Sequence, residues 1–271
     1  MGDFGGFVEH PEYGLCGITC AHVVLDDTKF NLFKEKTTQT EEDFDVMIYQ
    51  PKLNEGRQGP DYEVGKLKQA TYTDGGNDKP GVDLALFKIE KRAPTNGGFP
   101  NSRISSFKAG LVWGKRGIPS RCKDVQKFGQ VTRNTHGVIQ FDNSVVREIQ
   151  FFDNLKHDKP TLYKQYHIKS KNKKGFCKEG DSGALVFMKD NTGGESDLRC
   201  IGMVVGTFIH DHAGIVTPIT AILDELKVQQ LKSFIINDKF DQIYKLYNKT
   251  NERVDKIYRR CSKKDHCRSD S

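Results

Sequence analysis

Hydrophobic and polar residues alternate in short runs along the first third of the chain. DVMIYQ (45–50), YEVGKL (62–67) and VDLALFKI (82–89) are the clearest runs, separated by turn clusters at Gly56, Gly59-Pro60 and Gly75-Gly76. Period-2 alternation broken by such residues predicts the short strands of a small barrel or sandwich. APTNGGFP (93–100) holds two prolines and two glycines and reads as a linker. A second series follows: GLVWG (110–114), VQKFGQVT (125–132), HGVIQF (136–141), SVVREIQFF (144–152), GALVFM (183–188) and CIGMVVGTFI (200–209). The period then changes. Ile219, Ile222, Leu223, Leu226, Leu231, Phe234 and Ile235 recur at near-helical spacing, and a second stripe runs from Phe240 to Tyr258 behind a cap at Asn237-Asp238. The pattern divides the chain into a β-rich half (1–93), a linker (94–103), a second β-rich half (104–219), and helices with a polar tail (220–271).

Composition narrows the classes. Of 271 residues, 36% are hydrophobic and 10% aromatic, which suits a globular core and not a disordered chain. The longest apolar stretch, 201–209, is about half of the ~18 residues that a membrane-spanning helix needs, so no membrane association is expected. The net charge of +6 is modest. Its densest run, Lys169, Lys171, Lys173 and Lys174, lacks interleaved aromatic residues and reads as a solvated loop, so nucleic acid is not an expected partner. The seven cysteines form no CxxC pair and no signal peptide precedes them, which predicts free thiols, a reducing compartment and a cytoplasmic protein. TDGGND (73–78) lacks the later carboxylate of a calcium loop and reads as a turn. No metal or cofactor is expected.

Three segments carry candidate chemistry. GLCGITCAHVV (14–24) is read as an apolar strand ending in His22, and GVDLALFKI (81–89) puts Asp83 at the head of a buried strand. CKEGDSGALVF (177–187) sets Ser182 between glycines before another strand. Nucleophilic acyl transfer needs a hydroxyl beside an imidazole base, and a carboxylate to orient that imidazole. It also needs N–H donors aimed at the developing oxyanion, which a glycine-flanked turn can supply.

Together these segments resemble the chymotrypsin/trypsin-like serine protease family. TCAH is similar to the family's T-A-A-H histidine motif, VDLALFKI to its D-I-A-L motif, and GDSGALVF to its G-D-S-G motif. CIGMVVGTF followed by AGIVTPI resembles the two strands lining the primary specificity pocket. The resemblance covers about residues 4–225. It implies an all-β fold of two Greek-key β-barrels with a C-terminal helical extension. It further implies a catalytic triad of Ser182 (nucleophile), His22 (general base, then acid) and Asp83 (orienting partner), with Gly180 and Ser182 forming the oxyanion hole. Substrate contacts would come from Phe176, Val205, Gly206, Thr207 and His210, the substrate being a protein or peptide. Phe176, at the implied pocket base, argues against a preference for Lys or Arg, and a histidine such as His210 could favour an acidic side chain.

The chain also departs from the family. It begins at what resembles the second strand, so the first strand of the N-terminal barrel is expected to be missing or replaced, leaving an open sheet edge. It lacks the I-V-G-G segment whose free amine pairs with the Asp before the serine, so Asp181 needs another partner. Val23 stands where a cysteine commonly follows the histidine. These departures keep a second reading open, a catalytically inactive protease-like binding or scaffold module. The stripe over 238–260 is expected either to recruit a partner helix or a second copy, or to cover the open edge.

Overall fold

The computed structural model describes residues 3–32, 38–40, 45–49, 63–91, 123–147, 149, 160–173, 175–190 and 197–232. The expected linker (94–103), the strand at 110–114 and the helix over 238–260 lie outside these residues.

The N-terminal half forms a six-stranded antiparallel sheet. A hairpin of β1 (Gly6–His10) and β2 (Gly14–Thr19) opens it. The one-turn helix α1 (Ala21–Val24) and the short helix α2 (Asp27–Leu32) come next. The strands β3 (Thr38–Thr40), β4 (Met47–Tyr49), β5 (Glu63–Thr73) and β6 (Val82–Lys88) complete the sheet. The strand order is β1-β2-β6-β5-β3, with β4 also paired to β5. In β6 every residue before Lys88 is buried, as an uninterrupted apolar run predicts for a central strand. β1 ends the strand path, and its Phe7 carbonyl accepts the Lys232 N–H at 2.6 Å. A segment from the far end of the described chain thus occupies part of that edge.

The second half is a closed barrel of β7 (Asp124–Gly129), β8 (Arg133–Val146), β9 (Leu162–Ser170), β10 (Leu185–Asp190), β11 (Asp197–Thr207) and β12 (Gly214–Pro218). The strands close in the order β10-β11-β12-β9-β8-β7, which leaves no free edge. Alternation in β8 buries Thr135, Gly137 and Ile139. The run at 136–141 and the first residues of the run at 144–152, read as two strands, join in this one long strand, which ends at Val146 and absorbs the break as register shifts against β9. The helix α3 (Ile219–Glu225) follows β12 directly, burying Ile219, Ile222 and Leu223. It is shorter than the apolar spacing to Ile235 suggests, because Lys227 takes a φ of +55° and turns the chain toward β1. Leu231 is then buried against Gly6 and Leu185. One hydrophobic cluster joins the two halves, with Val8, Ile18, Leu84 and Leu86 from the first and Leu185, Met203, Val205 and Ile222 from the second.

Candidate active site

His22 is not at the end of a strand. β2 stops at Thr19, Cys20 is extended (φ −78°, ψ 145°), and His22 lies in the single turn of α1. Register explains what it meets there. Thr19 pairs with Ala85 in β6, so the chain two residues further on comes opposite Asp83. The Asp83 carboxylate is wholly buried, and a charge removed from water requires partners. It has three. Oδ1 accepts the backbone N–H groups of Ala21 (2.7 Å) and His22 (3.3 Å), and Oδ2 accepts a hydrogen bond from His22 Nδ1. One carboxylate therefore caps the helix turn and fixes the imidazole on it. With Nδ1 as the donor, Nε2 is the nitrogen left with a basic lone pair.

Ser182 sits in the turn entering β10, between two residues of left-handed backbone, Gly180 (φ +94°) and Gly183 (φ +95°). Glycine is required at 183 for a second reason. A Cβ there would stand 2.1 Å from the Asp3 carbonyl oxygen and 2.6 Å from Thr19 Oγ1. The Asp181 N–H donates to the Lys178 carbonyl and the Ala184 N–H donates to the Asp181 carbonyl, both at 3.0 Å, so tight turns bracket the serine. Its own carbonyl accepts the Asp3 N–H at 2.6 Å. The turn is placed against β2 through one shared acceptor. The Val204 carbonyl takes the Gly183 N–H (2.8 Å) and the Cys20 thiol (3.3 Å). The residue after Ser182 and the residue two before His22 thus meet on a single oxygen. Among the described residues, Ser182 Oγ has no hydrogen-bond partner, nor have the backbone N–H groups of Gly180 and Ser182.

The Asp181 carboxylate, whose partner the sequence left open, pairs with Lys127 of β7. Lys127 Nζ lies 3.0 Å from Asp181 Oδ2, and both side chains are fully buried. Burial alone would push the Asp181 carboxyl up, but Lys127 and hydrogen bonds from Thr132 reverse this and hold it below the usual carboxylate range. Neither Lys127 nor Thr132 stands out in VQKFGQVT. The only sequence signal was an Asp beside the serine with no cation assigned to it. Asp3 was also missed. It accepts the Gln130 N–H at 2.8 Å, and burial raises its carboxyl to about 6.

The implied substrate-contact residues fall into two groups. Phe176 is a core side chain, fully buried, with its ring within 2.7 Å of where a Cβ would stand at Gly137 or Gly214. Val205 is buried as well. Gly206 and Thr207 end β11 half-buried, opposite Ile215 and Gly214 of β12. His210 is exposed in the loop that follows, where His212 accepts the Phe176 N–H on its carbonyl at 2.9 Å. Ligand atoms of Cys20, His22 and Asp83 lie within 4.8 Å of one another. The Cys20 thiol is wholly buried and donates to the Val204 carbonyl at 3.3 Å, while His22 and Asp83 are bonded to each other.

No protein-family model matches the sequence, and no curated protein matches it. Solved structures do match its fold. A glutamic-acid-specific serine protease described as using a histidine triad in substrate binding superimposes with a TM-score of 0.50 at 13% identity, covering 85% of this chain and 93% of its own. Protease A of Thermobifida fusca gives 0.50 at 15% identity, covering 86% and 92%. The closed six-stranded barrel and the second six-stranded sheet make up the two-barrel fold of the trypsin-like serine proteases.

Proposed function

We propose that the chain is a serine endopeptidase acting through Ser182, His22 and Asp83. The observation that carries this reading is the bond from His22 Nδ1 to the buried Asp83 carboxylate, on a segment whose Cys20 shares the Val204 carbonyl with the glycine-flanked Ser182 turn. In this mechanism Ser182 Oγ attacks the peptide carbonyl carbon while its proton passes to His22 Nε2. Asp83 stabilises the imidazolium, and the N–H groups of Gly180 and Ser182 donate to the oxyanion. His22 then returns the proton to the amine as the C–N bond breaks. Water repeats the sequence on the acyl-enzyme, losing a proton to His22 as its oxygen bonds the acyl carbon. Ser182 Oγ leaves with that proton. Gly206 and Thr207 would hold the substrate backbone. Phe176 offers no carboxylate to a Lys or Arg side chain. The buried free thiols of Cys16, Cys20, Cys177 and Cys200 support a reducing, cytoplasmic setting.

One observation favours the alternative of a binding module, the Ser182 hydroxyl, which has no hydrogen-bond partner among the described residues. Catalytic hydrogen bonds often tighten only with substrate bound, so the two readings are separated by reactivity. A fluorophosphonate probe should label the protein at Ser182, and Ser182→Ala should abolish labelling and peptide hydrolysis without changing the circular dichroism. His22→Ala should lower turnover on the order of 10⁴-fold, because the groups act as a unit. An unlabelled parent protein, or undiminished hydrolysis by Ser182→Ala, would sink the assignment.

A further inference from the structure

Gln165 of β9 is wholly buried, and its side-chain amide joins the two halves of the molecule. Nε2 donates to the Gly81 carbonyl (3.0 Å) and the Tyr163 carbonyl (2.8 Å), and Oε1 accepts from Thr217 Oγ1 of β12 (2.7 Å). Gly81 belongs to the first half, two residues ahead of Asp83, and Thr217 to the second, opposite Met203 of β11. The backbone beside the amide makes the same crossing. The Gly81 N–H donates to the Tyr163 carbonyl and the Tyr163 N–H to the Asp74 carbonyl, both at 2.9 Å. Between Tyr163 and Gln165, Lys164 takes a φ of +54°, a left-handed conformation that a residue with a β-carbon adopts only under constraint. The register against β8 shifts at the same place, where Leu162 to Gln165 of β9 lies opposite the shorter stretch from Val146 to Ser144. This bulge breaks the alternation of the strand, so the Tyr163 backbone and the Gln165 amide both reach Gly81.

We infer that Gln165 is a positioning residue for the proposed triad: its buried amide fixes the segment entering β6 against the second barrel and thereby sets His22 and Asp83 at their working distance from Ser182. The inference rests on the reading of Ser182 as nucleophile. His22 and Asp83 are bonded to each other within the first half, whereas Ser182 enters β10 of the second. Transfer of the serine proton therefore depends on how the halves are registered. The apolar cluster between them is non-directional and tolerates sliding, while an amide with three partners at fixed angles does not. The Val204 carbonyl registers one side of the junction by taking both the Cys20 thiol and the Gly183 N–H. Gln165 registers another, and the ladder links them, since Val204 and Thr217 sit on neighbouring rungs of β11 and β12. Without the amide, two carbonyls and a hydroxyl lose a buried partner, and the halves relieve that by shifting to admit water.

Gln165→Met keeps the length of the side chain and removes its hydrogen bonds. The variant should keep native circular dichroism yet lower the fluorophosphonate labelling rate at Ser182 by about 10- to 100-fold, the scale of a misplacement on the order of 1 Å between reacting groups. The low-field proton resonance of His22 Nδ1 should stay in place, because that bond lies within one half. In ¹⁵N-glycine-labelled protein the amides of Gly81 and Gly183 should both shift, the second because its acceptor is shared with Cys20, while Gly65 and Gly137 stay where they are. A purely structural role predicts a lower melting temperature with folded protein that labels like the parent. That result, or a Gly183 resonance that does not move, would overturn the inference. Thr217→Val removes only the donor to Oε1 and should show the same pattern with a smaller loss. Failure of both variants to fold would assign Gln165 to folding alone and overturn it equally. A parent protein that fails to label would defeat the peptidase reading, and the Gly81 and Gly183 resonances would still decide whether Gln165 registers the two halves.

Discussion

Asp3 shows how a single carboxyl can couple the N-terminal segment to the candidate site. Its backbone N–H holds the Ser182 carbonyl, its carbonyl accepts from Thr19 Oγ1 at 2.6 Å, and its side chain accepts the Gln130 N–H. Burial raises its carboxyl from 3.8 to about 6, with the nearby Asp181 charge adding to the shift and Lys127 opposing it. A carboxyl whose folded value lies above its unfolded one binds its proton more tightly when folded. Its contribution to stability is therefore complete below about pH 4 and is lost as pH rises through 6. Asp3→Asn keeps an acceptor for Gln130 and removes the titration. Parent and variant should match in urea midpoint near pH 4. Above pH 6 the variant should be the more stable, by on the order of 1–3 kcal/mol. A difference that stays constant from pH 4 to 7.5 would refute the coupling. None of this was legible in the sequence, where Asp3 is one acidic residue in a glycine-rich start. His22, Asp83 and Ser182 were legible as candidates because each sits in a recognisable local pattern, and Lys127 was not because its pattern is that of an ordinary strand.

At the scale of elements, the turn into β10 is held by fit more than by its own preference. Gly183→Ala forces a β-carbon onto the Asp3 carbonyl at a φ of +95° and should cost about 2 kcal/mol or more. The same displacement should abolish probe labelling, since the turn that carries Ser182 must move. Gly76→Ala, where nothing lies within 4 Å of the added carbon, is the control and should change stability by less than about 0.5 kcal/mol. Thermal melts with a labelling assay check both variants, and a stable, fully labelled Gly183→Ala would contradict the account. The elements themselves were legible to different degrees. β6 followed from its apolar run. The end of β2 did not, because TCAHVV continues the apolar pattern while the Asp83 carboxylate draws the Ala21 and His22 amides into a helical turn. β9 was missed: only its last two residues, Lys169 and Ser170, were read at all, as the start of a lysine-rich loop. Its burial pattern does not follow a strict period of 2, and Lys164 has a φ of +54° inside it.

Across the whole molecule, the described cysteines act as core residues. Cys16, Cys20, Cys177 and Cys200 are free and buried, with burial pushing the Cys16 thiol up to about 11 and that of Cys177 up to about 12. Dithiothreitol should therefore leave the melting temperature unchanged within about 1 °C. A thiol reagent at pH 7.5 should leave at least these four of the seven cysteines unmodified until denaturant is added. A melting temperature that falls by many degrees in reductant would reveal a structural disulfide and refute the prediction. No helix among the described residues is long and apolar enough to cross a membrane. By itself the sequence determined the all-β class, the division into two β-rich halves and the three segments that bear candidate chemistry. Hydrophobic period and glycine-flanked motifs are local properties, and a linear reading captures them. The tertiary structure decided which residues meet. A strand's register sets Asp83 against His22, the Val204 carbonyl joins the Ser182 turn to β2, and a buried lysine from a distant strand neutralises Asp181. These pairings depend on how the barrel closes and on the demand that every buried charge find a partner, and neither condition is written in any single stretch of chain.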